Sequence, residues 1–225
     1  MKPPDAGLVL RQVTQTLPKK PPAIHRLPAS SVIWHVGNKS WGVGSFNPNT
    51  SGAGRGARFS PFNDSSGKPV ATFYGGDCAD VAIMETVFHD VPTGHGIRSV
   101  RRVKALGGRT LESFETQVDL QFAKLFDAEL GQWSLTPPDI SHLATYYYKD
   151  TQSFARSVHA KYPTLHGLAW RSRLLPANLV YVMFEDRTPS NWALPHETVG
   201  QLDDPSDASA RLAEDLASRA GIMII

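Results

Sequence analysis

The residues from Ala71 to Glu85, reading ATFYGGDCADVAIME, constrain this chain more than any other segment. An apolar run ends at Tyr74, Gly75-Gly76 supply a turn, and Asp77 is a plausible cap for a helix continuing to about His89, before Pro92. The segment therefore predicts a strand, a glycine turn and a helix. Glu85 falls on the inner face of that helix, with Val81 and Ala82 one turn before it and Phe88 and His89 one turn after. A carboxylate on an apolar face is unfavourable unless it is partnered, which marks Glu85 as placed for chemistry. A solvated or salt-bridged helix glutamate is the competing reading.

A chain of 225 residues can bury a sizeable core, and its length favours one domain with additions. Seventeen prolines and 18 glycines mark many loops. Residues 1–30, with Pro3-Pro4, Pro18, Pro21-Pro22 and Pro28, read as a proline-rich N-terminal extension, with a short helix at Leu8–Leu17, ahead of a body at 31–225. Within that body the expected strands are Ser31–Val36, Val70–Tyr74, Gly96–Leu106, Arg109–Leu111, Leu165–Trp170 and Asn178–Glu185. Helices are expected within Glu115–Leu130, from Asp150 or Thr151 to Lys161, and at Asp207–Ala220. The end, Gly221–Ile225, reads as a last strand or a partner contact. Strands and helices lack the regular alternation of a doubly wound sheet, so the fold class is α+β.

Composition excludes several function classes. A net charge of +2, with cation pairs as short as Lys19-Lys20 and Arg101-Arg102, argues against direct nucleic-acid binding. The single Cys78 excludes an internal disulfide framework, and no metal-ligand spacing is present among the eight histidines. The N-terminus lacks a signal-peptide run and no stretch reads as a membrane span, so a cytoplasmic protein with no membrane partner is expected.

Five pieces occur in order: Val32-Ile33-Trp34-His35-Val36; Gly56-Ala57-Arg58-Phe59-Ser60-Pro61; Ala71–Glu85; Asp150-Thr151-Gln152; and Gly167-Leu168-Ala169-Trp170-Arg171-Ser172-Arg173. Together they resemble the RES domain, the toxin component of a bacterial toxin and antitoxin family, over roughly residues 31 to 190. The resemblance implies an ADP-ribosyltransferase-like mixed β core with flanking helices, an NAD-binding body, and cleavage of the nicotinamide–ribose bond. NAD enters as substrate, and no cofactor or metal is implied.

On that resemblance Glu85 stabilises the oxocarbenium-like state or orients the ribose hydroxyls. Arg58, after a glycine-rich loop, contacts the pyrophosphate, with Arg55 a less favoured substitute. His35 stands where many RES sequences carry an arginine; it can donate to a ribose hydroxyl, and with Tyr74 and Glu85 it resembles the trio of diphtheria-type ADP-ribosyltransferases. A core histidine satisfied by backbone competes with that role. Tyr74 stacks on nicotinamide or packs in the core. Ser172 aligns with the family serine and bonds an amide or phosphate, while Thr151 reads as a helix cap. His89, one turn after Glu85, can pair with it.

The expected function is thus an NAD-consuming toxin, a glycohydrolase, phosphorylase or ADP-ribosyltransferase. The resemblance implies a cognate helix-turn-helix antitoxin that neutralises it, and a homodimer is a further candidate assembly. The alternative is a non-catalytic nucleotide- or protein-binding module on the same fold.

Overall fold

Apolar residues alternate along two neighbouring strands, and that period of two organises the molecule. Leu168, Trp170, Val180, Val182 and Phe184 enter one apolar cluster, while Ala169, Tyr181 and Met183 enter another on the opposite face. The computed structural model describes residues 13–15, 17–21, 23–48, 56–91, 96–140 and 147–225. Most of the Leu8–Leu17 helix expectation and all of Arg55 lie outside them.

The strands are β1 (Ile24–Leu27), β2 (Val32–Asn38), β3 (Thr72–Gly76), β4 (Arg98–Val100), β5 (Arg109–Thr116), β6 (Leu120–Leu125), β7 (Gly167–Arg171), β8 (Leu179–Phe184), β9 (Ala193–Gln201) and β10 (Ile222–Ile224). Eight of them form a sheet in the order β1-β6-β7-β8-β3-β2-β5-β9, and β10 pairs with β4 in a second, two-stranded sheet. The three longer helices are α1 (Ala79–Thr86), α2 (Tyr148–Lys161) and α3 (Ala208–Arg219). Within the large sheet only β6 and β7 run parallel. The connection between them contains α2, as a parallel pairing requires a crossover.

The α+β class expected from the sequence is the one adopted, although several elements differ. The segment expected to be helical within Glu115–Leu130 is instead the end of β5, a turn, β6 and a 3-10 helix at Ala128–Trp133. Its apolar residues are core as expected: Phe122 and Leu125 are buried, and Val118 packs against the core. The element type differs because β6 lies between β1 and β7 and has both faces covered, a pattern that spacing alone does not separate from a buried helix. Gly96–Leu106 contains only the short β4 followed by a helical turn at Arg102–Ala105. Neither β1 nor β9 stood out in the sequence. β1 arises inside the proline-rich lead-in, and Val13 and Leu17 from the same lead-in are buried in the main cluster.

The centre of the sheet is where β2 and β3 diverge. They share a single register pair, Trp34 with Gly76, whereas β3 pairs with β8 over five positions and β2 with β5 over seven. α1 wedges into the divergence: Val81 joins one apolar cluster, and Ala82, Ile83 and Met84 join another with α3. Gly76 permits this approach, since a Cβ there would lie 2.3 Å from Val81 Cγ1.

Candidate functional site

The divergence opens a cleft of about 390 Å³ between β2, β3 and α1. His35, Arg58, Tyr74 and Glu85 all line it, joined by Trp41, His89, Lys104, Arg109, Tyr148 and Trp170. Ser172 does not line it, yet it touches the residue that matters most there.

Glu85 projects from the last turn of α1, and its Oε1 accepts two hydrogen bonds. One comes from Ser172 Oγ at 2.6 Å and one from the Arg173 backbone N–H at 3.1 Å. The carboxylate is thereby fixed from the end of β7, and Oε2 has no hydrogen bond among the described residues. The anomalous glutamate has the partner that its face demanded, with one oxygen left for the cleft. Ser172 is buried, and its hydroxyl also accepts the N–H groups of Leu174 and Leu175. Its hydroxyl proton is therefore engaged with Glu85, a partner that the sequence did not indicate.

His35 lies across from Tyr74 where the β2–β3 ladder stops. Its Nδ1–H donates to the Tyr74 carbonyl at 2.5 Å, and its ring stacks on Phe73 with centroids 4.2 Å apart. Burial lowers its pKa below 6.5, outweighing the Tyr74 carbonyl and Glu112, which favour the charged form. In the neutral ring, with Nδ1 protonated, Nε2 is an acceptor. A ribose hydroxyl would thus donate to His35 and not receive from it, the reverse of the role expected from the sequence.

Tyr74 sends its hydroxyl away from the sheet, accepting from the Phe59 N–H at 3.0 Å and meeting Ser60 Oγ at 3.2 Å. Burial pushes its pKa up to about 12, so it stays a neutral phenol. Its ring meets Trp170 edge-on. Tyr74 thus anchors the turn that carries Arg58.

Arg58 is 7% exposed. It donates to the Ile140 carbonyl, and its guanidinium lies 5.9 Å from the Tyr148 ring centroid. The turn around it is clamped by α2. Thr151 donates to the Arg58 carbonyl, and Gln152 Nε2 donates to the carbonyls of Ala57 and Ser60 at 3.0 and 2.9 Å. Thr151 sits inside α2, which Tyr147 precedes as N-cap, so its role is this clamp and not the helix start. Likewise Cys78 occupies the N-cap of α1, and Asp77 instead accepts from Leu179 N–H and Asn178 Nδ2. Gly56 takes a left-handed φ of 69°, and a Cβ there would lie 2.4 Å from both Pro61 Cδ and the Ser60 carbonyl. His89 pairs with Asp90 at 3.2 Å rather than with Glu85.

Glu112 escaped the sequence reading. It stands opposite His35 in the β2–β5 register, beside a bulge in β5, and is 4% exposed. Its carboxylate accepts from Thr110 Oγ1 at 2.7 Å and Gly44 N–H at 3.0 Å, tying down the loop that brings Trp41, Ser45 and Asn47 to the cleft. Nothing local distinguishes it from an ordinary strand glutamate. Lys104 and Arg109 were missed for the same reason, although no acid interrupts residues 96–109. Among the described residues no group of three acidic, histidine or cysteine side chains could hold a metal ion, and no helix is long and apolar enough to cross a membrane.

The model of the RES domain matches residues 32–213, which include every residue of this site. The chain belongs to the RES domain family. A chain of the crystal structure of the M. tuberculosis MbcT-MbcA toxin-antitoxin complex has a similar fold, with a TM-score of 0.57 at 15% sequence identity. The superposition covers 95% of this RES domain chain and 98% of the other. The shared architecture is a mixed β core with flanking helices, as expected from the sequence. No curated protein matches the chain in sequence.

Proposed function

We propose that this RES domain is the toxin of a toxin–antitoxin pair and that it cleaves the nicotinamide–ribose bond of NAD. One observation carries the proposal: a carboxylate held through Oε1 by Ser172 and Arg173, with Oε2 unengaged among the described residues, in a cleft that His35, Arg58 and Tyr74 also line. Departure of nicotinamide leaves positive charge on the ribose, and a fixed carboxylate stabilises that charge without reorganising. His35 Nε2 accepts from a ribose hydroxyl, which aligns the sugar beside Glu85. Arg58 adds a cation for the anionic part of NAD, and Tyr74 holds the Arg58 turn. Water, phosphate or a protein side chain then takes the ADP-ribosyl group.

The fold shared with a chain of a toxin–antitoxin complex supports an antitoxin partner, and the antitoxin proposed, from the family resemblance, is a small helix-turn-helix protein. An element laid over the cleft, against the half-exposed Trp41, excludes NAD. We propose the cytoplasm, where NAD is held, as the site of action.

The test is nicotinamide release from NAD by the purified protein, with and without phosphate. The wild type is expected to turn over, and Glu85→Ala to lower the rate about 100-fold or more. Absence of turnover in water, in phosphate and with cell lysate overturns the enzyme reading. The engagement of His35 with a backbone carbonyl favours, in that event, a non-catalytic nucleotide-binding module, whose signature is NAD affinity without nicotinamide release.

A further inference from the structure

Residues 96–109 carry five cations, Arg98, Arg101, Arg102, Lys104 and Arg109, and no acid. Their fates differ. Arg98 donates to the Ala220 carbonyl at 2.7 Å, and Arg102 pairs with Glu214. Arg101 is exposed and does not line the cleft. Lys39, beside the same end of β2, is neutralised by Asp203 at 2.8 Å. Lys104 and Arg109, the two cations of the segment that line the cleft, have no side-chain hydrogen bond or ion pair among the described residues.

Arg109 is half-buried at the start of β5, opposite Asn38 in the register, so its position is set by the sheet. Burial lowers its pKa from the ordinary arginine value, and no counter-charge among the described residues offsets the lost water. Glu85 is the one carboxylate among the described residues of the cleft, and it stands against three cations, Arg58, Lys104 and Arg109. Arg58 already has a carbonyl and an aromatic ring as partners; among the described residues the other two have none.

We infer that Lys104 and Arg109 form a phosphate-binding end of the cleft, and that they join Arg58 in receiving the pyrophosphate of the dinucleotide. The assignment rests on the NAD-cleaving reading for the identity of the ligand, whereas the anion site itself does not. A pyrophosphate carries two charges on oxygens that a guanidinium fork and an ammonium can share, and a desolvated guanidinium gains most from such a partner. Binding energy collected there, away from the bond that breaks, holds the ribose against Glu85.

The experiment measures the affinity of the full chain for inorganic pyrophosphate, ADP-ribose and nicotinamide, and its nicotinamide release from NAD with and without phosphate. It compares wild type, Lys104→Gln/Arg109→Gln, and Arg101→Gln as a charge control, with thermal melting to verify folding. The double variant is expected to weaken pyrophosphate and ADP-ribose about tenfold or more, the loss of one to two charge-assisted contacts. Nicotinamide affinity and the melting temperature stay at wild-type values, and Arg101→Gln binds as wild type does. Equal affinities in wild type and double variant, no pyrophosphate binding by the wild type, or an equal loss in Arg101→Gln overturns the site. If the variant loses only the phosphate dependence of turnover while ADP-ribose affinity holds, the site takes free phosphate and the pyrophosphate assignment falls. Pyrophosphate binding through these residues without nicotinamide release leaves the site standing and overturns the NAD-cleaving function alone.

Discussion

At the scale of single residues, the site depends on hydrogen bonds that assign each side chain one task. Glu85 Oε1 is held by a hydroxyl and a backbone N–H, so its orientation does not rest on the substrate. Ser172→Ala removes one of these bonds. A hydrogen bond to a charged group contributes about 1.5–3 kcal/mol, so kcat for nicotinamide release is expected to fall about 10- to 100-fold. KM changes little, because Ser172 does not line the cleft. A steady-state comparison over NAD concentration checks this; a raised KM at unchanged kcat would give Ser172 the direct substrate contact instead. His35 shows the limit of residue-level reading: its place in the first strand was legible, while its tautomer follows from a carbonyl on another strand.

At the scale of elements, the turn from Ala57 to Ser60 is built from outside. Tyr74 of β3 meets it from one side, and Thr151 and Gln152 of α2 from another. Thr151 Oγ1 also lies 3.0 Å from the Tyr148 carbonyl, so its one proton is shared between two acceptors, and the side chain is fully buried. Thr151→Val keeps the volume and removes the donor, leaving the Arg58 carbonyl without that bond. The variant is expected to lose about 1–2 kcal/mol of stability by urea denaturation. Its KM for NAD rises severalfold as Arg58 loosens. A variant with wild-type stability and KM would show that the clamp is dispensable. The same scale explains the failed helix expectation at 115–130. Val118, Phe122, Leu125 and Phe126 do have helical spacing, yet the free edges of β1 and β7 offered hydrogen bonds on both sides, and a central strand results.

At the scale of the whole molecule, burial sets how the fold responds to acid. His25, His35, His89 and His166 all have pKa values lowered from 6.5, in each case first by desolvation. The native state favours their neutral forms, so below pH 6.5 the unfolded chain binds more protons than the folded one. Stability is expected to be complete above that pH and to fall as the pH drops through the lowered native values. Asp64, Asp203 and Asp207, lowered from 3.8 by hydrogen bonds, add a further loss only at lower pH. Urea midpoints at pH 7.5, 6 and 5 test this, and a midpoint independent of pH over that range would contradict it.

The sequence by itself determined the local units. The strand–turn–helix that delivers Glu85, the α+β class, α2, α3 and the core strands β7 and β8 follow from periodicity, glycine placement and apolar content, which act over a few residues. The five family pieces identified His35, Arg58, Tyr74 and Ser172 as candidates without fixing what each one touches. Only the tertiary structure decided that Ser172 reaches Glu85, that Glu112 ties down a cleft-lining loop, and that Lys104 and Arg109 line the cleft with no side-chain partner among the described residues. The physical reason is distance along the chain. Those relations join residues up to 87 positions apart, and they exist only because β2 and β3 diverge after one register pair and leave groups from remote segments to satisfy one another.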